Sequence, residues 1–157
     1  MAGETKYTVE EFHKKMGVTL FNRVWDLLDK QERTAAEADE MLHAAHASRY
    51  HWGEIGMPLN FERGEWQISR VYAVLGRPEP ALFHARKCLG ICTENEIGDF
   101  DIAFAYEAMA RAHATAGDAA ECEKYRELAK KAGAEIEEEG DKEVFFAELN
   151  TVACEPG

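Results

Sequence analysis

The chain repeats itself. Residues 66 to 89, WQISRVYAVLGRPEPALFHARKCL, align with residues 107 to 130, EAMARAHATAGDAAECEKYRELAK, at an offset of 41. Gly76 then falls on Gly117, Arg70 on Arg111, Ser69 on Ala110 and Cys88 on Ala129. Self-similarity at such a period marks stacked supersecondary units, each unable to bury its apolar face alone. Within the units apolar residues recur every three and four positions rather than alternating, which is the spacing of helices and not of strands.

This spacing, read along the whole chain, predicts seven helices over residues 8–29, 34–53, 60–75, 79–95, 100–116, 119–138 and 141–151. Breakers separate them: Gly53 and Gly56 with Pro58, the run GRPEP at 76 to 80, then Gly98-Asp99, Gly117-Asp118 and Gly140-Asp141. Connections this short place consecutive helices antiparallel. The expected architecture is all-α, a single domain over 1–157 with pairs at 8–53, 60–95 and 100–138 and a capping helix at 141–151.

Within the two matched units, a large apolar residue precedes a small one (Ile68-Ser69, Met109-Ala110). An aromatic follows three positions on at Tyr72, replaced by His113 in the second unit, and glycine stands in the turn. The second helix carries Ala81-Leu82, Ala85 and Cys88-Leu89, and less faithfully Cys122, Arg126 and Ala129. This pattern resembles the tetratricopeptide (TPR) family in a long-repeat variant, since the spacing exceeds the usual unit by about seven residues. The resemblance covers about half the chain. It implies helix pairs stacked in a right-handed superhelix, with the first helix of each pair lining a concave groove that binds protein or peptide partners.

Composition narrows the partners. A formal charge of −12 opposes phosphate backbones and anionic lipid surfaces, so neither nucleic acid nor membrane is expected as a partner. With no apolar run of signal or spanning length, a cytoplasmic location is expected. Four cysteines (Cys88, Cys92, Cys122, Cys154) without framework spacing are then read as reduced thiols. The acidic run AEIEEEGDKE at 134 to 143 reads as a solvated helix end.

Projection at about 100° per residue puts Phe61, Ile68, Val71, Tyr72 and Leu75 on the core side of the third helix. Arg63, Trp66 and Arg70 fall opposite. On the fifth helix Ile102, Ala105, Met109, Ala112, His113 and Ala116 point inward, against Phe104, Glu107 and Arg111 outward. Tryptophan and arginine concentrate binding energy at interfaces, and a guanidinium forks onto carboxylates. The groove is thus expected to take an acidic peptide, a carboxylate terminus or a small anionic ligand, without catalysis. The competing reading pairs Arg70 and Arg111 with Glu65, Glu107 or Asp101 and covers Trp66 with the N-terminal helices. Homo-oligomer formation through an exposed Trp66 or the last helix is a third.

The stretch HAAHASRYHW, residues 43 to 52, places Arg49 in the apolar stripe of the second helix, made by Ala38, Leu42, Ala45 and Trp52. A lone charge there costs several kcal/mol, so Arg49 must meet a carboxylate such as Glu62 or face the groove. His43, His46 and Tyr50 share a flank within about 60°, whereas His51 points away. His84, Cys88 and Cys92 follow one another at four-residue spacing and in principle suit zinc, but packing explains Cys88 and Cys92 as well. No HExxH, paired CxxC or phosphate-binding glycine loop occurs, so neither metal nor cofactor is expected. The alternative to the interaction module is a small metal-dependent or acid-base helical-bundle enzyme using this His-rich helix, with His43 and His46 as a metal pair or His46, Arg49 and Glu62 as acid-base groups. The site expected from these arguments comprises His46, Arg49, Arg63, Trp66, Arg70, Phe104, Glu107 and Arg111, with the His-rich stretch supplying interhelical polar contacts.

Overall fold

The computed structural model describes residues 3–155, and the protein is all-helical over that range. Seven helices run α1 (Val9–Leu28), α2 (Ala35–Ile55), α3 (Pro58–Val74), α4 (Pro78–Glu94), α5 (Asp99–Thr115), α6 (Ala119–Ala134) and α7 (Glu139–Leu149). Their starts follow from local chemistry. Thr8 with Glu11 and Thr34 with Glu37 form reciprocal capping boxes, and Pro58 and Pro78 open α3 and α4, where a missing N–H costs nothing. Several boundaries differ from expectation: α2 runs through Gly53 to Ile55, α3 already begins at Pro58, and α7 ends at Leu149. Helix α6 stops at Ala134, and Ile136 in the turn beyond is buried. Gly140 and Asp141 lie inside the first turn of α7, because the Glu138 carboxylate accepts from both their backbone N–H groups and caps the helix upstream of them.

The repeat is visible in the turns. Gly76 and Gly117 both adopt left-handed backbone, with φ of 72° and 77°. In one, Gly76 N donates to Ala73 O and Arg77 N to Tyr72 O; in the other, Gly117 N donates to Ala114 O and Asp118 N to His113 O. These are two Schellman caps at the offset of the self-match, and only glycine takes that backbone without a Cβ penalty. Ser69 and Ala110 are both buried, as are Cys88 and Ala129, so the small residues of the alignment mark close helix contacts.

Helices pack as α1 with α2, α3 with α4 and α5 with α6, while α5 also meets α3 on one side and α7 on another. One apolar cluster joins Val24, Leu27, Met41, Ala45, Ile68 and Val71. A larger one runs from Trp66 through Ala85, Cys88, Ala105 and Met109 to Phe145 and Leu149. Helix α3 belongs to both, so every residue from Gly64 to Ser69 is buried, and α5 is buried nearly all around. The expected division of α3 and α5 into one core face and one open face is corrected by this. Helices α1 and α7 cover the opposite side, and Trp66 is only 7% exposed.

The cysteines require a second correction. Cys122 at the start of α6 is bonded to Cys154 beyond α7, with Cα atoms 5.5 Å apart, and only Cys88 and Cys92 remain free. The segment after α7 turns back over α6, a tertiary proximity that a sequence separation of 32 does not reveal. Among the described residues no helix is long and apolar enough to cross a membrane.

Candidate functional site: an aromatic cavity walled by α1, α3, α5 and α7

The first helix of each pair and α7 surround a cavity of about 630 Å³. Its apolar wall is aromatic: Phe21 and Trp25 from α1, Trp66 from α3, Phe100 and Phe104 from α5. Trp25 stacks on Trp66 with ring centroids 5.6 Å apart, and Phe104 meets Trp66 edge-on at 5.5 Å. Phe104 also touches Phe100 at 4.6 Å and Phe145 of α7 at 5.0 Å. The rings therefore form one continuous surface across four helices, and the Trp66 indole N–H is buried there without an acceptor.

Carboxylates complete the lining: Glu62, Asp99, Asp101, Asp141 and Glu148, with Arg63 as the one cation. Arg63 forks onto Asp101, Nε to Oδ1 at 2.8 Å and Nη2 to Oδ2 at 3.1 Å. Arg70 Nη2 reaches Glu148 Oε2 at 2.7 Å. Asp99 and Asp141 have no cation within ion-pair distance among the described residues, so the charge the cavity presents is negative. Glu62, 1% exposed, is pushed up to about 11 by burial and then by Asp101 beside it. It is a neutral acid at pH 7. Burial alone would raise Asp101 too, but the Arg63 fork holds it below its usual range.

Of the residues expected from sequence, Arg63, Trp66 and Phe104 line this cavity. Arg70, Glu107 and Arg111 form a buried ion network beside it. Arg70 lies 5.9 Å from the Trp66 ring centre and 3.5 Å from Glu107, and Arg111 meets Glu107 at 3.4 Å. Arg111 also donates to Glu148 O at 3.0 Å and Thr151 Oγ1 at 2.7 Å. Trp66 and Arg111 thus stand at two ends of one contact chain, and the guanidiniums are held by internal carboxylates rather than offered to a ligand.

His46 and Arg49 lie elsewhere, between α2, α3 and α4. Arg49 Nε meets Glu65 Oε1 at 3.3 Å, not Glu62, and its stem passes Gly64, where a Cβ would come within 2.8 Å of Arg49 Cδ. His84 Nδ1 lies 2.6 Å from Glu65 Oε2, and His46 Nε2 2.9 Å from the Tyr72 hydroxyl. Burial would raise the Glu65 carboxyl, yet the His84 hydrogen bond and the charges of His84 and Arg49 hold it below the ordinary range. His51 pairs with His13 of α1 at 2.9 Å, and the Ser48 hydroxyl donates to Gly17 O at 2.7 Å. The His-rich stretch is therefore an interhelical polar seam. His46, Arg49 and Glu62 do not converge, and His84 is turned away from Cys88 and Cys92.

Sequence reasoning missed Phe21, Trp25, Phe100, Asp141 and Glu148. Aromatic pairs spaced by four, Phe21 with Trp25 and Phe100 with Phe104, were the available signal, since such pairs share a helix face. Comparison with family models, curated proteins and solved structures finds no match for this chain.

Proposed function

We propose that the protein is a noncatalytic TPR-like interaction module, its pairs stacked as a right-handed superhelix, and that the cavity receives a basic side chain of a partner peptide. The observation that carries this is the meeting of five aromatic rings with the uncompensated Asp99 and Asp141 around one cavity of about 630 Å³. Aromatic faces attract a lysine or arginine head by their quadrupole, and nearby carboxylates add charge-assisted hydrogen bonds. A volume of several hundred Å³ suits one long side chain and its flanking backbone. The sequence pointed to an acidic partner because its arginines read as free; with Arg63, Arg70 and Arg111 engaged by Asp101, Glu107 and Glu148, the ligand preference reverses in sign.

Titration of arginine- and lysine-bearing peptides, followed by tryptophan fluorescence, tests the reading. Binding of basic peptides is expected, weakened at least tenfold in D141N and in Phe100→Ala. Binding of acidic, carboxylate-ended peptides instead, or of neither set, overturns it. As to location, a Cys122–Cys154 bond persists in an oxidising compartment, which speaks against the cytoplasmic site expected from composition.

A further inference from the structure

Behind the cavity wall, α4 brings two cysteines that the binding surface does not use up to Glu62 of α3, whose carboxyl belongs to the lining. Glu62, Cys88 and Cys92 each direct a ligating atom to one point, all within 4.8 Å of one another. Cys88 and Cys92 stand one helical turn apart on the face of α4 that meets α3, and each is at most 1% exposed. Cys88 Sγ lies 3.4 Å and Cys92 Sγ 3.5 Å from Glu62 Oε2.

Two features set this cluster apart from ordinary packing. A buried carboxyl is normally matched by strong donors, because leaving it unmatched costs one to several kcal/mol, about the scale of a whole hydrogen bond or more. Glu62 has two thiols, which are weak donors, and its Oε1 is buried with no hydrogen-bond partner. The spacing is the second. Ligands about 2.0 to 2.3 Å from a tetrahedral zinc lie about 3.4 to 3.8 Å from each other, which matches both sulfur-to-oxygen distances. The alternative trio of His84, Cys88 and Cys92 is not formed, since His84 is held by Glu65 and stacks on Tyr72 at 5.8 Å.

We propose that Glu62, Cys88 and Cys92 form a binding site for a thiophilic divalent cation of the zinc type, with a fourth position facing the cavity. Two thiolates and one carboxylate match the borderline softness of zinc and disfavour magnesium or calcium, which take oxygen ligands. Glu62 is shared by the cluster and the cavity lining, so the fourth ligand is a water entering from the cavity side. Coordination releases three protons to solvent, those of the two thiols and of the Glu62 carboxyl, and cross-links α3 to α4 at the floor of the groove. The site stands whether or not the cavity binds a basic peptide.

Cobalt(II) titration of the full chain, purified without a histidine tag and with the disulfide intact, tests this. Expected are one cobalt per chain, thiolate-to-cobalt charge-transfer absorption and the intense visible bands of tetrahedral coordination, displaced by zinc. C88S and C92S should each lose the charge-transfer band, and E62Q should weaken cobalt binding at least tenfold while keeping both thiols. Absence of the band in the wild-type chain, or its undiminished presence in C88S, overturns the proposal. Should the serine variants not fold, alkylation of the wild-type thiols decides. One equivalent of zinc is expected to slow labelling of Cys88 and Cys92 at least tenfold, and equal rates with and without zinc overturn the site.

Discussion

Glu107, with no exposed surface, meets the guanidinium of Arg111 one helical turn further along α5, Oε2 to Nε at 3.4 Å. The same carboxylate faces Arg70 of α3, so one buried anion holds two cations against each other's repulsion. Removing a partner from a buried pair strands a charge. Glu107→Ala is therefore expected to lower stability by about 3 to 5 kcal/mol. Glu148→Ala, whose side chain is 32% exposed, should cost no more than about 1 kcal/mol. Urea midpoints separate the two, and equal losses would show that Glu107 is not the keystone of the network.

Acid sensitivity is expected from His113. Burial is the leading cause that lowers its pKa, with Arg86 of α4 and Lys124 of α6 adding to it and Asp118 and Glu121 opposing. The ring stacks on Tyr125 at 5.5 Å, in a slot that favours the neutral form. Below about pH 6.5 the unfolded chain takes up a proton that the folded chain resists, so stability falls as the pH drops through that value and below. His113→Phe keeps the stack and removes the titration. Its urea midpoint should vary less than that of the wild type between about pH 7.5 and pH 5.5, and parallel curves would refute the assignment.

Two helical glycines should respond oppositely to alanine. A Cβ at Gly17 would sit 2.8 Å from the Trp52 indole nitrogen and 2.9 Å from its ring carbon, whereas one at Gly90 of α4 meets nothing within 4 Å. Alanine gains up to about 1 kcal/mol of helix propensity at either place. At Gly17 the clash with a rigid ring, worth about 1 to 3 kcal/mol, outweighs that gain. Gly90→Ala should raise the melting temperature and Gly17→Ala lower it. A stabilised Gly17→Ala would mean that α1 and α2 are less closely packed than these contacts require.

The Cys122–Cys154 bond closes a loop with a sequence separation of 32, for which chain entropy gives about 3 to 4 kcal/mol. The double variant C122S/C154S should lose about that much stability while keeping its helical circular dichroism, since the helices owe their cores to other residues. A chain that melts at the same temperature with and without the bond would assign it no structural weight.

The self-match made the helix order and the turn glycines legible, because Gly76 and Gly117 answer a backbone demand that no other residue meets cheaply. Arg70 and Arg111 were correctly set on matching faces of α3 and α5, but a helical projection cannot say whether the facing surface is solvent or a third helix. Here Glu107 and α7 occupy that side, and the guanidiniums are spent internally. Trp66 misled for the same reason: Trp25, 41 residues earlier, covers it, and nothing local to either residue announces the stack. The disulfide was equally silent, since a partner delivered by the return of the chain after α7 leaves no spacing to read.

That return has a mechanical consequence. Helix α7 lies wholly inside the covalent ring that Cys122 and Cys154 close, so tension applied to the chain beyond residue 154 is carried by the sulfur bridge into α6. Pulled from that end, the fourth wall of the cavity is shielded from the load, and the hairpin of α5 and α6 must shear before α7 feels any force.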